Sequence, residues 1–167
     1  MQARLPDVDV PRRVGIVRSP HRAEAGALAE AAAVVARARG LDVWEASSWD
    51  LVAVGPHLAG TDVVLCFGGD GTLIRAARAA SPHGVPVAGV NLGRVGFLAE
   101  FAPEDMDAGW RALLDGRYWT EERVTLHIDH QRAGVRIGSH LAINDAVVGR
   151  GPANHIVRLH TWVGGQY

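Results

Sequence analysis

The apolar run Val63-Val64-Leu65-Cys66-Phe67 passes directly into Gly68-Gly69-Asp70-Gly71-Thr72, and residues 73–80 follow with alanines and apolar side chains at helical spacing. A strand that feeds a helix through a glycine turn is the unit from which parallel sheets are built, so this order constrains the fold more than any other feature of the chain. Three glycines strip the turn of Cβ atoms, which lets backbone N–H groups face an anion and makes positive φ available. The N-terminus of the following helix adds to the attraction for a phosphate. Asp70 puts a negative charge into that same turn. An Asx-turn or N-cap role accounts for such an acid structurally. Its place beyond the carboxyl end of a strand, where open α/β sheets bind ligands, equally suits a general base toward an attacking hydroxyl or a ligand to magnesium. The last two roles belong to phosphoryl transfer.

The flanking sequence repeats the strand-helix alternation. Residues 14–17 read as a strand, Ser19 and Pro20 as the N-cap and first residue of a helix over 21–39 with Leu28, Val34 and Val35 as its apolar residues, and Gly40 as its stop. Residues 41–44 return as a strand, and 45–60 suggest a short irregular helix with Trp49, Leu51, Val52 and Val54. Ser81-Pro82-His83-Gly84 breaks the helix that follows the glycine turn, and 85–90 form a fourth strand. Asn91-Leu92-Gly93-Arg94-Val95-Gly96-Phe97-Leu98 is then a second polar, glycine-bearing loop at the same sheet edge as Asp70. Pro103 opens a helix through Met106, Trp110, Leu113 and Leu114, closed by Gly116.

From Tyr118 onward Val124, Leu126 and Ile128 alternate with polar residues, which predicts antiparallel sheet. Residues 132–138 read as a hairpin partner, 141–148 as a further strand, 149–154 as a turn and 155–163 as a last strand. The fold class is therefore α/β: a parallel-sheet, Rossmann-like nucleotide-binding domain over 1–117, then an incomplete antiparallel β-sheet domain over 118–167. The open edges and apolar face of that second portion call for cover, from an oligomer or from the rest of a longer chain.

Composition removes several function classes. A net charge of −1 with scattered arginines gives no electrostatic footprint for nucleic acid. All 17 basic residues are arginine, which excludes a P-loop lysine, a Schiff-base lysine and a kinase strand lysine and leaves any phosphate clamp to arginine and backbone, with Arg75 and Arg94 the nearest cations. Cys66 is the sole cysteine and reads as a buried small hydrophobe, so neither an internal disulfide nor a thiolate zinc cluster is expected. His127, His130, His155 and His160 lack helical metal-ligand spacing, and His127 lies on the polar alternation of its strand, so no metal site is assigned to the protein. Residues 1–13 lack the apolar core of a signal peptide and no apolar stretch reaches membrane-spanning length, which makes a cytoplasmic protein without membrane contact the expectation.

The glycine-aspartate turn also occurs in diacylglycerol kinase-like lipid kinases and, in a close variant, in 6-phosphofructokinases. Together with the Asn91-x-Gly93-x-x-Gly96-Phe97-Leu98 loop, the change to antiparallel strands and Asn144-Asp145, it resembles the N-terminal half of NAD kinases. The resemblance implies that Asp70 orients or deprotonates the adenosine ribose 2′-hydroxyl of NAD, and that Gly68, Gly69, Gly71 and Thr72 contact nucleotide phosphates. It implies that Asn91 and Phe97 shape the dinucleotide pocket and that Asn144 and Asp145 bind the acceptor, with Asp145 one methylene shorter than the family's usual glutamate. ATP with Mg2+ as donor, NAD as acceptor and NADP as product follow from the same resemblance, while the open edges of the second portion make a homo-oligomer the expected partner. The family's later Thr-Pro-Thr-Gly-Ser-Thr-Ala-Tyr segment does not occur in the chain, which leaves a nonenzymatic nucleotide-binding module or fragment as an alternative, and the shared glycine-aspartate turn leaves a diacylglycerol kinase-like lipid kinase as another.

Overall fold

The computed structural model describes residues 9–93, 96–149 and 156–166, in two compact units, Met1–Val124 and Thr125–Tyr167. In the first unit, strands β1 (Arg13–Arg18), β2 (Asp42–Ser47), β3 (Val63–Gly68) and β4 (Val87–Asn91) form one sheet in the order β2-β1-β3-β4, every pair parallel. Helices α1 (Ala23–Ala38), α2 (Leu51–Leu58) and α3 (Asp70–Ala80) make the crossovers, and α4 (Met106–Leu114) follows β4 after a 3₁₀ turn, Pro103–Asp105.

Strand alternation sorts the core into two layers. Val14, Ile16, Val63, Leu65, Phe67 and Val90 pack with α1 and α4 on one face of the sheet. Val17, Val64 and Cys66 pack with α2 and α3 on the other. A parallel sheet covered on both faces needs strands that are apolar throughout, and all six residues of β3 are buried.

The α1 interface is made of Ala25, Ala29, Ala32, Ala33 and Ala36, with Leu28 and Val35 packed beside them, whereas Val34 is 54% exposed. Small side chains let the helix approach the sheet. The gap beside it is filled by Trp110 of α4, fully buried, whose indole N–H donates to the Ala32 carbonyl at 3.0 Å. On the opposite face Trp44 lies over Gly15, where an added Cβ would stand 2.2 Å from the indole ring, and its N–H donates to Thr61 Oγ1 at 2.8 Å.

The helix after β1 begins later than expected. Ser19 does not cap it: the Ser19 amide continues the sheet by donating to the Phe67 carbonyl at 2.9 Å, and its hydroxyl accepts from the His21 amide. The first helical residue is Ala23, with Arg22 extended ahead of it. The expected stops hold, since Gly40, Gly84 and Gly116 all take the left-handed conformation in which glycine is favoured.

In the second unit β5 (Leu126–Arg132) and β6 (Val135–Ala142) form a hairpin, turned at Ala133 and Gly134, both at positive φ. The strands expected over 141–148 and 155–163 are not formed: β6 ends at Ala142, residues 143–149 are bends and irregular, and the described part of 155–163 carries only the isolated bridge of Val163 with Gln166. An alternating apolar pattern becomes a strand only beside a partner, and the hairpin edges have none among the described residues. The expected turn at 149–154 lies outside the described residues apart from Gly149, as does His155. His127 lies on the solvated side of β5, its imidazole 2.6 Å from Ser139 Oγ.

Two expectations follow. Trp110→Ala should lower unfolding free energy by roughly 3–5 kcal/mol, read from the denaturation midpoint, because it empties the space between α1 and α4. Cys66 is 1% exposed, and burial, reinforced by the nearby Glu100 carboxylate, pushes its thiol well above the usual range. Iodoacetamide should therefore leave Cys66 unmodified in the native protein and label it at the rate of opening, whereas rapid native labelling would contradict the packing of β3.

Candidate functional site

The order β2-β1-β3-β4 reverses direction between β1 and β3, and a crevice beyond the carboxyl ends of the strands at such a point is where open α/β sheets bind ligands. Gly68 ends β3 there. It is buried, its carbonyl accepts the Leu92 amide at 2.8 Å, and an added Cβ would stand 2.3 Å from Thr72 Oγ1. Gly69 is the single extended residue between strand and helix, and its carbonyl accepts the amides of Thr72 and Leu73 at 2.9 and 3.3 Å. The N–H groups of Gly69, Asp70 and Gly71 fall where a helix has no carbonyl of its own to offer, so they are the donors this turn presents outward.

None of Gly68, Gly69 and Gly71 has positive φ, so the freedom that glycine makes available there is not used. The strand needs only one extended residue before it coils. Absence of a side chain is what the turn uses: Gly68 makes room for Thr72, while a Cβ on Gly69 or Gly71 would meet nothing within 4 Å. Thr72 is buried at 8% exposure against Gly68, so its side chain braces the turn from within.

Asp70 is the first residue of α3, where the helix dipole favours a carboxylate. Its oxygens accept the backbone amides of Phe97 at 3.3 Å and Leu98 at 3.4 Å. The structure thus brings the two expected loops together, and Asp70 is the atom-level link between them. Both bonds are long for N–H···O, so the carboxylate is held loosely.

Asn91 organises the second loop. Its Oδ1 accepts the Gly93 amide at 2.9 Å, and Gly96 lies so close that an added Cβ would be 2.5 Å from the Asn91 carboxamide carbon. Phe97 is 84% exposed and presents a bare ring at the crevice. Arg94 lies outside the described residues. Arg75 holds its guanidinium 4.3 Å from the Trp49 ring centroid, with His21 edge-on to the same indole, so its cation is engaged with an aromatic face. Asn144 and Asp145 belong to the second unit, exposed on the segment that follows β6. Among the described residues no group of three His, Cys, Asp or Glu side chains is placed to hold a metal ion. No helix among the described residues is long and apolar enough to cross a membrane.

Residues 14–118 match the model of the ATP-NAD kinase N-terminal domain. The chain belongs to the NAD kinase family. The NAD kinase of Dehalococcoides mccartyi is 35% identical over 149 residues, covering 87% of this chain and 52% of that protein. That of Aromatoleum aromaticum is 35% identical over 164 residues, covering 92% and 54%. The chain therefore spans about half the length of these NAD kinases. The fold is shared with a solved structure, yeast NADH kinase complexed with NADH, at a TM-score of 0.58 and 14% identity over 78% of this chain and 43% of that one.

Within this NAD kinase domain sequence reasoning missed Glu100, whose carboxylate accepts the Gly89 amide at 2.7 Å. An acid just past the loop motif was visible; the edge amide that needs it was not, because that need exists only in the assembled sheet. The glycines give a direct test. Gly68→Ala should lose about 1–3 kcal/mol of stability through collision with Thr72, whereas Gly71→Ala should be neutral or gain up to about 1 kcal/mol from helix propensity. Equal melting shifts for both would contradict the packing described.

Proposed function

We propose that this chain is the nucleotide-binding half of an NAD kinase that transfers the terminal phosphoryl group of ATP to the adenosine ribose 2′-hydroxyl of NAD, giving NADP. The observation that carries the reading is the convergence of the Gly68–Thr72 turn and the Asn91–Leu98 loop on Asp70, in a chain of this family.

In this reading the free amides of Gly69, Asp70 and Gly71 receive phosphate oxygens, and the missing side chains at Gly69 and Gly71 let the backbone approach them. Gly68 and Thr72 set the shape of that turn from inside. Asp70 exchanges its long bonds to the Phe97 and Leu98 amides for the ribose hydroxyl, which it orients and deprotonates as phosphorus is attacked. The released amides then face the bound dinucleotide. Phe97 offers a ring for a planar base, held in place by the Asn91 turn, and Asn144 and Asp145 contribute acceptor contacts. A single carboxylate in the turn suits magnesium arriving with the phosphates of ATP better than a resident ion held by protein alone. A homo-oligomer acting in the cytoplasm is part of the same proposal.

Incubating the protein with NAD, ATP and Mg2+ and measuring NADP tests it, with Asp70→Asn as the paired control. The expected outcome is turnover that falls about 10²-fold or more in the variant while NAD binding is retained. NAD binding without turnover would assign a binding module, and labelling of diacylglycerol in place of NAD would assign a lipid kinase.

A further inference from the structure

β4 is the outer strand of the sheet, so every second residue turns its N–H and C=O away from β3 and needs a partner outside. At Asn91 and Gly89 the chain supplies that partner by returning on itself. The Asn91 amide donates to the Phe101 carbonyl at 2.9 Å, and the Gly89 carbonyl accepts the amides of Phe101 at 3.0 Å and Glu100 at 3.1 Å. This is a one-residue parallel bridge, Val90 with Phe101. It is too short to reach the Gly89 amide, which is buried and would be left without an acceptor. Glu100 Oε2 takes it at 2.7 Å, standing where a longer strand would offer a carbonyl.

That carboxylate closes a loop. The chain leaves the sheet at Leu92, whose amide meets the Gly68 carbonyl, and residues 96–99 lead back to it at the Glu100 clamp. Between those two anchors lie Phe97 and Leu98, whose amides hold Asp70. The clamp also depends on close approach: a Cβ on Gly89 would stand 3.2 Å from the Ala99 Cβ and 3.3 Å from its Cα. The loop's exit is therefore pressed flat against the strand.

We propose that Glu100 is a positioning residue: by capping the Gly89 amide it fixes the segment 96–99 against β4 and so sets where the Phe97 and Leu98 amides stand relative to Asp70. Its consequence for catalysis rests on the NAD kinase reading; its consequence for the loop does not. What the clamp requires is an acceptor oxygen at the right reach. Charge is secondary. Glutamine preserves the oxygen and aspartate preserves the charge but falls one methylene short, so the pair separates the two.

Amide hydrogen exchange on the unliganded protein tests the clamp, with Glu100→Gln, Glu100→Asp and Glu100→Ala compared under one set of conditions. Exchange at Gly89 should accelerate on the order of tenfold or more in the Asp and Ala variants, with Phe97 and Leu98 following, and stay near wild type in the Gln variant. Unchanged Gly89 exchange in Glu100→Ala, or a Gln variant as loose as the Ala variant, would overturn the proposal. Should Glu100→Ala fail to fold, the Gln and Asp comparison decides alone. In the turnover assay the clamp-deficient variants should raise the KM for NAD more than they lower kcat, with rescue in Glu100→Gln, whereas a merely structural defect would lower the active fraction and leave KM unchanged. A wild-type protein that binds no NAD would overturn the kinase reading while the exchange result still stood.

Discussion

The carboxyl edge of this domain depends on β3 being paired on both sides along nearly its whole length. Val63 to Phe67 align with Val14 to Arg18 of β1, and Val64 to Gly68 align with Val87 to Asn91 of β4. Because both flanks are satisfied and both faces are covered, the strand has no freedom at its end, and the residue that follows is delivered to a fixed place. That fixed place is what makes a short turn useful. A turn of the same composition on an edge strand would move with it.

Around that end the glycines serve two different needs. Gly68 and Gly96 are small because protein atoms press on them, Thr72 on the first and Asn91 on the second. Gly69 and Gly71 are small although nothing presses on them. The first pair makes the loops what they are without any ligand, and the second leaves space at the helix N-terminus. Asp70 sits between these groups, satisfied by the helix dipole and by two long bonds to the neighbouring loop, an arrangement that holds the acid in place without burying it.

Much of this was readable in the residues, for reasons that can be named. The strand-turn-helix at 63–80 carries its own signals: an apolar run, glycines, then alanines at helical spacing. Gly40, Gly84 and Gly116 punctuate helices because a left-handed residue is a local demand. What escaped were features decided by neighbours. Ser19 has the side chain of a helix cap, but the Phe67 carbonyl beside it draws its amide into the sheet. Residues 141–148 alternate well enough for a strand, yet alternation supplies no partner. The bond from Asp70 to residues 97 and 98 joins positions 27 and 28 apart in sequence, and the Glu100 clamp answers an orphan amide that only the sheet creates. The positive φ that the glycine run makes available goes unused because the strand needs just one extended residue before it coils.

The central place of β1 in the sheet has a consequence in time. A hairpin such as β5-β6 joins residues adjacent in sequence and closes locally, but β1 must wait for partners on either side, and its neighbour β3 begins at Val63. During synthesis β1 is thus held unpaired until β2 and then β3 follow, and local order has to come from the alanine-rich helix after it. The last residue of β3 is Gly68, so the nascent sheet gains its third strand just as the Asp70 turn appears. The pairing of β1 on both sides and the appearance of the Asp70 turn are one event on that clock.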